Sequence, residues 1–143
     1  MRIRNAEPHD ERAVHKLVEA LGYPGLDEKA FSRTYAAALR DPAVRLWVVD
    51  DGVLLGMTLL SVRPQLRIAG NMVSIDELVV AEHARGRGVG RMLLDAVKRL
   101  ATETGALRVE LHTRRTRESY TRGFYVKNGF TEVDSAVLRW SAG

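Results

Sequence analysis

The strongest constraint on the fold of this 143-residue chain is the run Arg85-Gly86-Arg87-Gly88-Val89-Gly90. Ahead of it lies a β-rich stretch, Ile75-Asp76-Glu77-Leu78-Val79-Val80. Behind it, Leu93, Leu94, Val97, Leu100 and Ala101 recur at helical spacing. The run therefore reads as a glycine-rich turn between a strand and a helix. The first N–H groups of a helix have no intrahelical partner, and the helix dipole adds partial positive charge there. An anion gains about 0.3–1 kcal/mol from that dipole, and up to ~2 kcal/mol when partly buried. Glycines let phosphate oxygens reach the backbone, and Arg85, Arg87 and Arg91 add charge-assisted contacts. The competing reading is an ordinary strand-to-helix turn with solvated arginines. The strand before and the helix after favour phosphate binding.

The spacing excludes two nucleotide loops. Position 91 is Arg where the dinucleotide fingerprint needs its third glycine, and the turn lies mid-chain instead of in a first βαβ unit. No Gly-Lys-Ser/Thr follows, as a nucleoside-triphosphate loop requires.

The rest of the chain supplies the layers. Arg2 to Ala6 predicts a short strand, and Asp10 offers an N-cap to a helix with Ala13, Val14, Leu17, Val18 and Leu21 on its inner stripe. Gly22 and Pro24 stop it. A second helix runs from Asp27 to about Arg40 and ends at Asp41-Pro42. Val44 to Val49 and Val53 to Val62 form a hairpin around Asp50-Asp51-Gly52, closed by Pro64. Strands follow at about Met72 to Val80 and Leu107 to Thr113, on either side of the turn and its helix. Glu118 to Asn128 predicts a helix capped by Gly129, and Phe130 to Val133 and Ala136 to Trp140 predict two last strands. The expectation is an α/β (α+β mixed sheet) class, a central mixed sheet of about seven strands with four helices, in one domain spanning residues 1–143.

Composition narrows the function. Apolar residues make up 45% and charged residues 28%, which suits a soluble chain with a packed core. There is no cysteine, so disulfides and a cysteinyl acyl-enzyme are excluded, and a cytoplasmic setting is consistent. No apolar run is long enough to span a bilayer. The net charge of +4 suits an anionic ligand. A nucleic-acid partner is not expected, because a recognition-helix pattern and interleaved aromatics are missing.

Arg85-x-x-Gly88-x-Gly90 resembles the acetyl-CoA signature of the GNAT superfamily of N-acetyltransferases. Glu77-Leu78-Val79-Val80 is similar to that family's fourth strand, and Phe124-Tyr125-Val126-Lys127-Asn128-Gly129-Phe130 to its Tyr-x-x-x-Gly-Phe helix ending. The likeness covers nearly the whole chain. It implies acetyl-CoA as co-substrate, no metal, and acetyl transfer to an amine of a small molecule or peptide. Without cysteine, direct attack by the amine on the thioester is the natural route. The resemblance implies pantetheine on the backbone of Leu78, Val79 and Val80, and pyrophosphate on Arg85, Gly86, Arg87, Gly88, Val89, Gly90 and Arg91, with Ser119 as a further cofactor contact. It implies Tyr125 as general acid to the thiolate, against the reading of a packing tyrosine beside Phe124 and Phe130. A homodimer is implied as well.

Glu77 is the candidate base, acting through water, with Glu110 and His112 as alternatives on the next strand. Strand alternation predicts that Asp76 and Glu77 face opposite ways, so that only one serves. The chain departs from the family before the tyrosine, where Gly123 sits inside the expected helix at a cost of about 1 kcal/mol relative to Ala. The rival function is a non-catalytic acyl-CoA-binding sensor of the same fold.

Overall fold

The computed structural model describes residues 1–143 as two compact units, Met1–His112 and Thr113–Gly143. In the first unit the elements run β1 (Arg2–Asn5), α1 (Glu11–Leu21), α2 (Glu28–Arg40), β2 (Val44–Asp50), β3 (Leu54–Gln65), β4 (Gly70–Val80), α3 (Val89–Thr104) and β5 (Arg108–Leu111). The five strands form one sheet in the order β1-β2-β3-β4-β5. All neighbours are antiparallel except β4 and β5, which are parallel. A parallel pair needs a long crossover, and α3 supplies it.

The helical stripes bury as their spacing predicts. Val14, Leu17 and Val18 of α1 join Tyr35 of α2 in one cluster with Met57 and Val79, which pair across β3 and β4. On α3, Leu93, Leu94 and Val97 are fully buried, and the helix packs on β3, β4 and β5. Each such side chain contributes about 1.5–3 kcal/mol. No helix is long and apolar enough to cross a membrane.

Asp10 does not cap α1 with its side chain. Its carboxylate instead takes a two-pronged bond from Arg4, at 2.7 and 2.9 Å, and one from the Glu7 N–H at 2.8 Å. Arg4 Nε also donates to Asp50 at 2.9 Å. One guanidinium thus ties β1 to the start of α1 and to the end of β2. Asp10 is buried, and the hydrogen bonds from Arg4 hold its carboxyl below the usual carboxylate range. Asp10→Ala removes two of the three carboxylate bonds of Arg4 and the partner of the Glu7 N–H, and the expected loss is about 1–3 kcal/mol in denaturant unfolding. The depressed pKa means that this stability is present above the unfolded carboxylate pKa and is lost as pH falls through the folded one. The difference between wild type and variant therefore shrinks in acid.

The strand and helix counts differ from expectation. There are five strands and five helices, not seven and four. In the second unit the expected helix over 118–128 is broken into α4 (Glu118–Thr121) and α5 (Phe124–Lys127). Gly123 stands between them with φ +72°, a left-handed conformation that no helix interior can hold. From Phe130 onward the backbone is irregular, so neither last strand forms. Alternating apolar residues set a side-chain pattern, whereas a strand also needs a ladder partner. In the first unit, β3 continues through Pro64 to Gln65, with Pro64 paired opposite Asn71.

Candidate active site

The glycine-rich turn forms as a cradle at a helix N-terminus. Arg85 is extended, Gly86 and Gly88 adopt φ +78° and +80°, and α3 starts at Val89. The first helical bond runs from the Met92 N–H to the Gly88 carbonyl at 3.0 Å. The N–H groups of Val89, Gly90 and Arg91 therefore precede the helical ladder, and no side chain caps them. A Cβ built on Gly86 or Gly88 would meet nothing within 4 Å, so the space over the turn is open. Arg87 reaches Asp51 only at 3.5 Å, and Arg91 reaches Asp95 only at 3.9 Å, both exposed. Gly88→Ala forces a side chain into a left-handed backbone at about 1–2 kcal/mol. It also stands a methyl over the cradle. The expected result is a lower Tm and a weaker CoA Kd by titration calorimetry.

The strand leading into the cradle has a one-sided neighbourhood. β5 pairs with β4 only over Met72 to Ile75, whereas β3 pairs with β4 through Val80. From Asp76 to Val80 the strand has a ladder neighbour on one side only. Backbone N–H and C=O groups that point away from β3 there, in Leu78, Val79 and Val80, are open to an amide-bearing ligand. Gly56 on β3 sits against this segment. A Cβ there would lie 2.9 Å from the Val79 carbonyl and 3.0 Å from Val89 Cγ1, so a larger residue would push the strand and the cradle apart.

Asp76 and Glu77 correct the alternation argument. The register skips between them, with Leu59 opposite Glu77 and Leu60 opposite Ile75, which leaves Asp76 as the extra residue of a β-bulge. Ser61 pairs with Ser74 and Leu59 with Glu77, and Ser61 and Leu59 share one face of β3. Ser74 and Glu77 therefore share a face, and Asp76 accepts from the hydroxyls of Ser61 and Ser74 on that same face, each at 2.9 Å. Both carboxylates serve one side. The Thr58 hydroxyl, fully buried, fixes the bulge by donating to the Glu77 carbonyl at 2.8 Å. Burial, reinforced by the charge of Asp76, raises the Glu77 pKa above its ordinary value.

The alternatives to Glu77 are less available. Glu110 lies between Arg67 at 3.5 Å and Arg108 at 4.0 Å. His112 is exposed beyond the end of β5. Ser61, Ser74 and Arg63 were not flagged by the sequence, although two serines facing each other across apolar strands are a signal in hindsight.

In the second unit, Tyr125 lies on α5 with edge-on rings from Phe124 at 4.9 Å and Phe130 at 6.1 Å. The helix ends as expected at Gly129, with φ +90°. The Gly129 N–H bonds the Val126 carbonyl and the Phe130 N–H bonds the Tyr125 carbonyl, both at 3.1 Å, a Schellman ending. Burial raises the Tyr125 pKa, opposed by the charges of Arg117 and Arg122 and by a hydrogen bond with Ser119. Ser119 thus has the tyrosine as a neighbour.

Comparison with known proteins places these features in a family. The sequence model of the Acetyltransferase (GNAT) family matches residues 11–130. An aminoalkylphosphonate N-acetyltransferase of Salmonella typhimurium is 33% identical over 131 residues, covering 91% of this chain and 84% of that protein. A probable glucosamine 6-phosphate N-acetyltransferase 2 of Oryza sativa is 31% identical, covering 89% and 78%. The solved structure of a putative acetyltransferase from Agrobacterium tumefaciens superposes with a TM-score of 0.86 at 26% identity, over 99% of this chain and all of that one. The chain belongs to the GNAT family and is an acetyl-CoA-dependent N-acetyltransferase.

Proposed function

We propose that the enzyme transfers the acetyl group of acetyl-CoA directly to the amine of a small molecule or peptide, within one acetyltransferase domain over residues 1–143. The observation that carries this reading is the uncapped α3 N-terminus, with open space over Gly86 and Gly88, at the end of a strand with one free edge. That arrangement suits pyrophosphate on the turn from Arg85 to Arg91 and the amide-bearing pantetheine along Leu78 to Val80. Small-molecule amines are named as the substrates of the relatives, and this supports a small acceptor.

Each atom has a destination. The acceptor ammonium loses a proton to Glu77 through water. Its nitrogen then attacks the thioester carbonyl, a C–N bond forms and the C–S bond breaks. The departing thiolate takes a proton from the Tyr125 hydroxyl, and the second proton of the attacking nitrogen leaves as the amide forms and restores the tyrosine through water. Ser119 is proposed to orient that hydroxyl and to add a cofactor contact. A cytoplasmic homodimer is proposed on the family resemblance.

The test is release of free CoA thiol on mixing the protein with acetyl-CoA and an amine panel, beside CoA titration by calorimetry. Thiol release that depends on an amine supports the reading. Tight CoA binding without release for any amine overturns it in favour of a sensor.

A further inference from the structure

The face that carries Glu77 also holds two opposite charges that do not meet. Asp76, the bulge residue, has each carboxylate oxygen bonded by a serine hydroxyl, Oδ1 by Ser74 and Oδ2 by Ser61. Two residues along β3 from Ser61, on the same face, Arg63 Nη2 donates to the Ser61 hydroxyl at 3.2 Å. Arg63 is exposed and Asp76 is exposed, and no ion pair joins them. Laid end to end, the two bonds through Ser61 keep guanidinium and carboxylate within about 6 Å of each other. The charge of Asp76 acts on half-buried Glu77, and no ion pair neutralises either carboxylate. Adjacent unpaired carboxylates are an electrostatic cost that a bound cation relieves. Serine hydroxyls fix the direction of the Asp76 carboxylate and leave its charge in place.

We propose that Asp76 and Arg63, spaced by Ser61, are the two ends of an acceptor seat, and that the acceptor is a short zwitterion. Its ammonium lies at Asp76 beside Glu77, and its oxyanion, carboxylate or phosphonate, lies at Arg63. This rests on the acetyltransferase reading and deepens it. The sheet geometry sets the length. A separation of no more than about 6 Å between the seats suits an amine two or three carbons from its oxyanion. Asp76 is then a positioning residue, which holds the ammonium while Glu77 takes the proton. A fork-shaped guanidinium matches a carboxylate or phosphonate with two parallel bonds.

The experiment measures amine-dependent thiol release for β-alanine, 2-aminoethylphosphonate, propylamine and 1,3-diaminopropane, with wild type, Arg63→Gln, Arg63→Lys and Asp76→Asn. One charged hydrogen-bonded contact corresponds to about 10- to 100-fold in kcat/KM. Wild type is expected to prefer the zwitterions over propylamine by that factor, and the preference falls as salt rises. Arg63→Gln narrows the ratio towards one through KM, and Arg63→Lys restores part of it. Asp76→Asn raises KM for the zwitterions far more than it lowers kcat, a split that a merely structural role would not produce, and it moves the acid limb of the pH profile to lower pH. Equal rates for propylamine, or a preference for the diamine, overturn the seat while leaving the acetyltransferase reading intact. Thiol release with no amine at all overturns both.

Discussion

Glu77→Gln is expected to lower kcat/KM at neutral pH by about 10²–10⁴-fold and, at the same time, to raise the melting temperature. The rate effect follows from the proposed role as base. Only the carboxylate accepts the proton, so the rate rises with pH through the Glu77 pKa. Burial and the neighbouring Asp76 charge raise that pKa, so the acid limb sits above the ordinary carboxylate range. The amide has no titration, and the variant loses that limb. The stability effect has the opposite sign. The folded pKa exceeds the unfolded one, so the native state keeps the proton at pH values where the unfolded chain has released it. The favourable contribution is complete below the unfolded pKa and disappears as pH rises through the folded pKa. At neutral pH an ionised Glu77 is a net cost, which the neutral amide removes. Thermal unfolding across pH, with initial rates on the same samples, checks both signs together. A variant that is slower and also less stable would mean that the side chain is structural.

Tyr125→Phe is expected to lower kcat by about 10²–10⁴-fold while CoA affinity stays near that of wild type. The lost group is a hydroxyl, and the ring keeps its contacts with Phe124 and Phe130. Burial pushes the phenol pKa up, so the hydroxyl remains protonated throughout the neutral range and on into alkali. The basic limb attributable to Tyr125 therefore lies above the ordinary tyrosine range and is absent from the variant. Because a thiolate that is already stable needs no acid, the deficit shrinks with acyl thioesters of more acidic thiols. A rate equal to wild type with acetyl-CoA would remove Tyr125 from the mechanism and leave it a packing residue.

The sequence made the glycine turn and the helical stripes legible and left the bulge in β4 dark. Glycine at 86 and 88 reports backbone directly, because both adopt a left-handed conformation that other residues avoid. The stripes of α1 and α3 report burial directly, because helical period maps one face. Asp10 has the right residue type for a cap, but Arg4, six residues earlier, captures its carboxylate. Gly123 carried a visible helix penalty, and the structure turns that penalty into a break. The bulge at Asp76 had no local mark. Whether a strand residue pairs or loops out depends on the partner strand, so register information sits in β3 as much as in β4. For that reason the side taken by Asp76, Ser61 and Arg63 escaped a reading based on alternation, whereas Glu77 was singled out as a candidate through its place before Leu78.

The ladder on either side of Asp76 already closes without it, since Ile75 and Glu77 face consecutive residues of β3. Position 76 is therefore the one place in β4 where the chain can gain or lose a residue without moving any other pairing. On the acceptor seat proposed above, a point change or a single-residue deletion at position 76 would remove one end of that seat while the strand that leads to the glycine turn stays in step.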